Sequence, residues 1–304
     1  MGAVANIKML EVEIDLAVIT TAIRSLPGVM KDCAKKGVKA VLLTREFSDA
    51  DPLQAEVMAE SLAIAKAGGV RVLGPNMLGL MRPVIGLNAS NYSAKVRPGN
   101  LALVAHSSAL CTAMLDWADA KGMGFSSVIS MGESSDIDFG EILDFLVADG
   151  HTQGILLHVN SIHDARRFMS SLRAVARGKP VVVVKSGRYL DHHDGMTSAT
   201  NLVGRGDVFD AALARAGVLR VNTISQLFSG ARVLAANYRS QGRRLAIITN
   251  GIGPGVLAAD STLTYGVQLA ELSPATLTLL NDTLPRNWSH ANPVDIIGDA
   301  GPAR

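Results

Sequence analysis

The chain has 304 residues, of which 48% are hydrophobic and 18% charged, enough apolar content to bury a substantial core divided over two or three domains. Its 29 basic and 27 acidic residues are spread evenly and leave a formal net charge of +2, so it lacks the basic stripe that binds nucleic acid by counterion release, and no nucleic-acid partner is expected. No apolar run approaches the roughly 20 residues of a membrane span, no secretory leader opens the chain, and the two cysteines, Cys33 and Cys111, lie inside apolar helical patterns; a cytoplasmic protein with reduced, core thiols is the expectation.

Short runs rich in Val, Ile and Leu alternate with amphipathic stretches of ten or more residues, the pattern of parallel sheets covered by helices. The fold class is therefore α/β. The first segment predicts a strand over 15–20, a helix over 25–36 stopped by Gly37, and a strand over 39–43. A helix then opens at Asp51 as N-cap with Pro52 in its first turn, and a third strand spans 70–73. Gly74-Pro75-Asn76 follows, and the polar, Pro- and Gly-marked composition from 82 to 99 suits a linker. From residue 100 the alternation restarts. Strands are expected over 101–105, 126–130, 154–159 and 180–184, with helices over 109–121, 139–148 and 163–176 between them. A polar loop over 187–204 leads to helices over 208–216 and 224–235, and a strand over 245–249 begins another unit.

That last unit repeats the middle one. A constant spacing relates Leu101 to Leu245, Ala102 to Ala246, Asp116 to Asp260 and Gly122 to Gly266. Each unit runs a strand into a turn of small residues, His106-Ser107-Ser108-Ala109 in one and Asn250-Gly251-Ile252-Gly253-Pro254-Gly255 in the other, and then into a helix. Such a turn lets the backbone approach a ligand and offers free N–H groups to an anion; it also serves tight packing alone.

Several strings, in order, resemble a known family: Gly74-Pro75-Asn76, Pro98-Gly99-Asn100-Leu101, Lys185-Ser186-Gly187-Arg188, Thr249 through Gly255, and Asn292-Pro293-Val294-Asp295. They are similar to the ADP-forming acyl-CoA synthetases, relatives of succinyl-CoA synthetase. Ile155-Leu156-Leu157, Asp164 through Phe168, and Leu115-Asp116-Trp117-Ala118 before Gly124-Phe125-Ser126-Ser127 look most like the synthetase-like region of bacterial protein lysine acetyltransferases of the Pat type. The resemblance implies the C-terminal half of a Rossmann-like CoA-binding domain over 1–84 and a linker over 85–97. A flavodoxin-like, succinyl-CoA-synthetase-like domain over 98–236 would follow, with a second, incomplete one over 237–304. On this reading the family's Gly-rich diphosphate loop precedes the chain, which is truncated at both ends.

Active ligases of the family pass a phosphoryl group through a histidine. The alignment from Asp207-Val208-Phe209-Asp210-Ala211-Ala212 backward puts Ser198 in its place. The glutamate that orients that histidine is matched by Asn160, and the turn that usually reads Ser-Gln-Ser-Gly-Ala reads Ala105-His106-Ser107-Ser108-Ala109. The resemblance thus implies a degenerate centre with no catalytic residue. His193, beside His192 in the same loop, is an off-register candidate for the nucleophile and otherwise a residue of a solvated loop. Candidate CoA or acetyl-CoA contacts are Gly74, Pro75, Asn76, Ser107, Ser108, Asn250, Gly251, Gly253 and Gly255. Lys185 and Arg188 suit an anion at a strand's carboxyl end or a surface ion pair.

His106, His158 and His163 read as core or surface histidines; no metal is expected, since no pair has ligand spacing with carboxylate or thiolate support. Glu133, Asp136 and Asp138 read as helix-capping charges. The expected function is a CoA-ester-binding regulatory or scaffold region of a protein lysine acetyltransferase. A subunit of an ADP-forming acyl-CoA ligase and a non-catalytic assembly module are the rivals. ATP would enter only through an ATP-grasp domain or subunit; that, an acetyltransferase domain, and a second copy of the chain are the partners in view.

Overall fold

The computed structural model describes residues 4–48, 50–186, 206–236, 240 and 242–301, and the chain forms two compact units, Met1–Asn237 and Tyr238–Arg304. The first unit begins with β1 (Leu16–Ile19), α1 (Leu26–Lys36), β2 (Ala40–Leu43), α2 (Pro52–Ala67) and β3 (Arg71–Leu73), and its three strands form a parallel sheet in the order β1-β2-β3. Helix α1 stops because Gly37 takes the left-handed conformation, φ 82°, and its N–H returns to the last turn. Helix α2 starts where the Asp51 carboxylate accepts hydrogen bonds from the N–H groups of Leu53 and Gln54. Met30, Cys33 and Met58 from these helices are buried against Val41 and Val72 of the sheet.

A seven-stranded sheet follows, built from β4 (Gly79–Arg82), β5 (Leu87–Ser90), β6 (Pro98–Ala105), β7 (Phe125–Ser130), β8 (Gly154–Val159), β9 (Val181–Lys185) and β10 (Leu219–Val221). The order is β10-β9-β8-β6-β7-β4-β5. Five strands run parallel from β10 to β7, while β4 is antiparallel to β7 and β5 antiparallel to β4. Helices α3 (Ser108–Ala120), α4 (Phe139–Ala148), α5 (Ala165–Ala176) and α6 (Gly206–Arg215) connect the parallel strands, and α7 (Ile224–Ala235) follows β10. Every residue of β7 and β8 is buried, as expected of strands covered on both faces. One face, including Ala102, Val104 and Leu157, packs on α4 and α5. The other, including Leu101, Leu103 and Leu156, packs on α3 and α7.

The segment expected to be a linker over 85–97 contains strand β5 and extends the main sheet. Its polar residues Asn88 and Ser90 sit on an edge strand, where one side faces water, and they read as linker because edge and linker chemistry overlap. The hairpin depends on Gly79, at φ 132°, where a Cβ would lie 2.3 Å from the Ala89 carbonyl oxygen and from Ser90 Cα. Strand β10 is a further addition to the expected elements.

The second unit holds β11 (Arg244–Leu245), β12 (Ile248–Thr249), α8 (Ile252–Tyr265), β13 (Gln268–Leu269), α9 (Pro274–Thr283) and β14 (Val294–Asp295). The strand expected over 245–249 is interrupted: β11 pairs with β13 and β12 with β14, both parallel. The Asn292 side chain ties these pieces together, accepting from the Ile247 N–H and donating to the carbonyls of Leu245 and Ala270. The internal repeat has a structural counterpart, since α3 and α8 open at the same spacing and are followed by left-handed Gly122 (φ 67°) and Gly266 (φ 64°).

Candidate functional site

In an open parallel sheet ligands meet the carboxyl ends of the strands where the winding reverses. Here β6 lies between β8 and β7, so the chain steps to one side for β7 and to the other for β8. The reversal therefore lies between β6 and β8, at the ends where His106 and Asn160 follow. The Asn160 backbone N–H donates to His106 Nδ1 at 3.1 Å. The ring proton of neutral His106 is thereby fixed on Nε2, which has no partner among the described residues although His106 is only 7% exposed. The ring stands edge-on to Phe139 with centroids 4.8 Å apart. Burial, with smaller repulsion from His158 and His163, lowers its pKa to about 4. His106 is thus a neutral donor, and its occupied Nδ1 and protonated Nε2 leave no lone pair to attack a phosphoryl centre.

His158 belongs to β8, on the α3/α7 face that alternation assigns to Leu156. Its Nε2 lies 2.7 Å from Ser186 Oγ, and its Nδ1 has no partner among the described residues. This ring is 6% exposed, and burial lowers its pKa to about 4 as well. Ser186 follows β9 and stays in the ladder, its N–H donating to the Val159 carbonyl at 3.0 Å. In the sequence His158 reads as a core or surface histidine and Ser186 as part of the Lys185–Arg188 string, because only the β8–β9 register brings the two together. Lys185 reaches back to the Ser186 carbonyl at 3.2 Å. Arg188, His192, His193 and Ser198 lie outside the described residues.

The serine turn before α3 is engaged within the protein. Ser107 Oγ caps the helix by accepting from the Leu110 N–H, and Ser108 Oγ donates to the Asn76 carbonyl and lies 3.3 Å from Ser130 Oγ. What α3 offers a ligand is backbone N–H, since its first turn has more donors than this cap satisfies. Asn76 is a clamp. In the left-handed conformation, φ 61°, its amide oxygen accepts from the Phe47 N–H and its amide nitrogen donates to the Phe47 carbonyl and to Glu133. Gly74, φ 101°, is required because a Cβ would approach the Leu43 carbonyl oxygen to 2.4 Å. Pro75 lines a small cleft at the carboxyl end of the three-stranded sheet, with Ile19, Leu43, Phe47, Met58, Arg45 and Glu46 among its other walls. Those residues after β2 went unremarked in the sequence; their position at a strand's carboxyl end was the signal that could have found them.

Among the acidic residues, Asp138 caps α4 in a capping box with Glu141, and Asp136 accepts from Arg71 and the Val72 N–H, so both are structural. In the second unit α8 begins at Gly251 without a side-chain cap. Gly255 is required there by close packing, as a Cβ would lie 2.9 Å from Thr249 Cγ2, whereas Gly253 faces open space. Asn250 precedes this turn, its carbonyl oxygen 3.6 Å from where a Cβ on Gly298 would lie.

Residues 2–83 match the model of a CoA binding domain, and residues 98–234 that of a succinyl-CoA ligase like flavodoxin domain. The chain carries a CoA-binding domain followed by a succinyl-CoA-ligase-like flavodoxin domain. Among curated proteins, the chain is 36% identical over 96% of its length to an ADP-forming acetate–CoA ligase of Archaeoglobus fulgidus, covering 42% of that protein. It is also 36% identical over 95% of the chain to the α subunit of an ADP-forming acetate–CoA ligase of Pyrococcus furiosus, covering 63% of that subunit. The chain therefore spans less than two thirds of either relative. Among solved structures, the acetyl-coenzyme A synthetase 1 of Ca. Korarchaeum cryptofilum, in complex with phosphate and ADP, superposes with a TM-score of 0.89 at 28% identity, over 99% of this chain and 65% of that one. The α/β, CoA-binding and succinyl-CoA-synthetase-like expectations stand. The two curated relatives are an ADP-forming acetate–CoA ligase and a subunit of one, so the similarity backs the ligase alternative better than the acetyltransferase reading.

Proposed function

We propose that the chain is the CoA-ester-binding, α-type portion of an ADP-forming acyl-CoA ligase-like system and stores no phosphoryl group of its own. The observation that carries this reading is Asn160. At the reversal point of the sheet, where a phosphohistidine would need a carboxylate to orient and balance it, the chain supplies an amide, which neither accepts a proton nor carries charge. Its backbone N–H holds His106 in a tautomer with no free lone pair. Within the first unit CoA contacts would come from the loops around 74–79 and 106–109; the loop 250–255 of the second unit is a candidate by itself. ATP would reach the system through an ATP-grasp partner.

Two finer parents are compatible with this. The motif strings favour the synthetase-like region of a protein lysine acetyltransferase, in which the bound CoA ester would regulate. The curated relatives favour a ligase subunit, in which His193 would have to serve as the relay. Incubation with radiolabelled ATP and a competent ATP-grasp subunit separates them. No acid-labile, base-stable phosphate is expected on the chain; label that vanishes in His193→Ala would establish the ligase relay and overturn the proposal. A pure assembly module would bind neither CoA nor acetyl-CoA in calorimetry.

A further inference from the structure

We propose that Ser186 is an acyl-accepting nucleophile served by His158, a site separate from any phosphoryl relay. The inference rests on four observations. The hydroxyl and imidazole are 2.7 Å apart, within the range at which a base takes a proton directly. Ser186 is exposed while His158 is buried, so the attacking atom meets solvent and the base is shielded. The pair is held by the sheet: His158 pairs with Val184, and Ser186, two residues further on, has its N–H bonded to the Val159 carbonyl, so both side chains emerge on one face. Helix α3 packs on the same face and starts at the same carboxyl edge of the sheet, and the first N–H groups of a helix are the kind of donors that stabilise an oxyanion. A nucleophile, a base and such donors at the reversal region of a parallel sheet make up an acyl-transfer site.

The step balances without a co-reactant other than water. With the ring proton on Nδ1, the Nε2 lone pair of His158 takes the Ser186 hydroxyl proton as Oγ bonds to the acyl carbon. The tetrahedral adduct collapses by breaking the bond to the leaving group, which takes the proton from Nε2. Water then attacks the Ser186 ester, again losing its proton to His158, and the carboxylic acid departs as Ser186 regains its hydrogen. For the donor, the inference rests on the CoA-ester reading above: a CoA thioester would lose its thiol in the first step. Among the described residues no carboxylate holds Nδ1, so the tautomer that attacks competes with one in which Nε2–H donates to the serine. Acylation should consequently be slow, and so should the hydrolysis that needs the same tautomer, so the acyl-serine is the species an experiment reads.

The whole chain would be incubated with p-nitrophenyl acetate and, separately, with acetyl-CoA, and the peptide carrying Ser186 examined for an added acetyl group. One acetyl per chain is expected on Ser186, removable by hydroxylamine, absent from Ser186→Ala and regained on the thiol of Ser186→Cys. His158→Gln should acylate roughly 10²- to 10⁴-fold more slowly, with an unchanged circular dichroism spectrum. If p-nitrophenyl acetate labels Ser186 and acetyl-CoA does not, the nucleophile stands and the CoA-ester reading of the function falls. If neither donor labels Ser186, or labelling persists in Ser186→Ala, or His158→Gln reacts at the wild-type rate, the proposal is wrong.

Discussion

Among the described residues no carboxylate pairs with His106 or His158 to keep it charged; His106 has two further imidazoles as neighbours, and both rings are less than a tenth exposed. Their folded pKa values, lowered to about 4 from an ordinary 6.5, mean that the unfolded chain binds more protons than the folded one between those limits. Stability is then complete above pH 6.5 and falls as the pH drops toward 4, with a slope of about 1.4 kcal/mol per pH unit for each ring. Asp32, Asp51 and Asp149, whose pKa values are lowered by hydrogen bonds and neighbouring cations, add stability that is present above 3.8 and lost only below it, so their window lies under that of the histidines. Urea melts from pH 7.5 to 4.5 should show a loss corresponding to uptake of two protons, and His158→Gln should remove about half the slope. A stability that is flat across this range would show that the rings are already charged or free in the folded chain.

At the scale of elements, the join between the two sheets of the first unit depends on backbone rather than on charge. Gly132, at φ 58° in the turn after β7, lies so close to Pro75 that a Cβ would sit 1.8 Å from the Pro75 carbonyl oxygen. The Glu133 N–H donates to that same carbonyl and the Ser135 N–H to the carbonyl of Gly74. Gly132→Ala should cost upwards of about 3 kcal/mol, from overpacking together with the left-handed conformation. Gly86→Ala, also left-handed but with nothing within 4 Å, should cost only about 1–2 kcal/mol. Equal costs in denaturant titrations would show that the turn yields. Little of this join was legible beforehand. The Val- and Leu-rich strands β8 and β9 announce themselves by composition, and the caps at Asp51 and Gly37 by residue type. Gly74-Pro75-Asn76 resembles a ligand loop in sequence because the chemistry that lets a backbone approach a ligand is the same chemistry that lets two backbones approach each other. Ser186 and His158 are 28 residues apart, and nothing in either local pattern foretells a contact made by strand register. His106 and Asn160, by contrast, are marked in the sequence itself by departures from the pattern of the family it resembles.

For the first unit as a whole, the three-stranded and seven-stranded sheets should differ in how readily they open. Strands β6, β8 and β9 are interior strands with almost wholly buried runs, whereas β1 is an edge strand in which Val18 is 46% exposed. A strand with one unpaired side and a half-exposed face has fewer contacts to lose on opening. The opposite edge, β3, is fastened. Arg71 forms a forked pair with Asp136 and reaches Glu141, which also binds Arg167. Within the same contact the Val72 N–H donates to Asp136 at 2.8 Å, and the Ile137 N–H donates to the Val72 carbonyl. The side-chain pairs are half exposed and worth at most about 1 kcal/mol each, so the backbone bonds carry most of the attachment. Hydrogen exchange read by mass spectrometry should therefore show a gradient along the small sheet, with the amides of 16–19 exchanging soonest, those of 71–73 later and those of 101–105 and 154–159 last. The difference between the first and last groups should be at least about 1–2 kcal/mol in opening free energy. Asp136→Ala should bring 71–73 close to the rate of 16–19 while leaving 154–159 unchanged. Uniform protection across all four stretches would mean that the two sheets unfold as one, and that β1 is covered by a partner or by chain beyond the described residues.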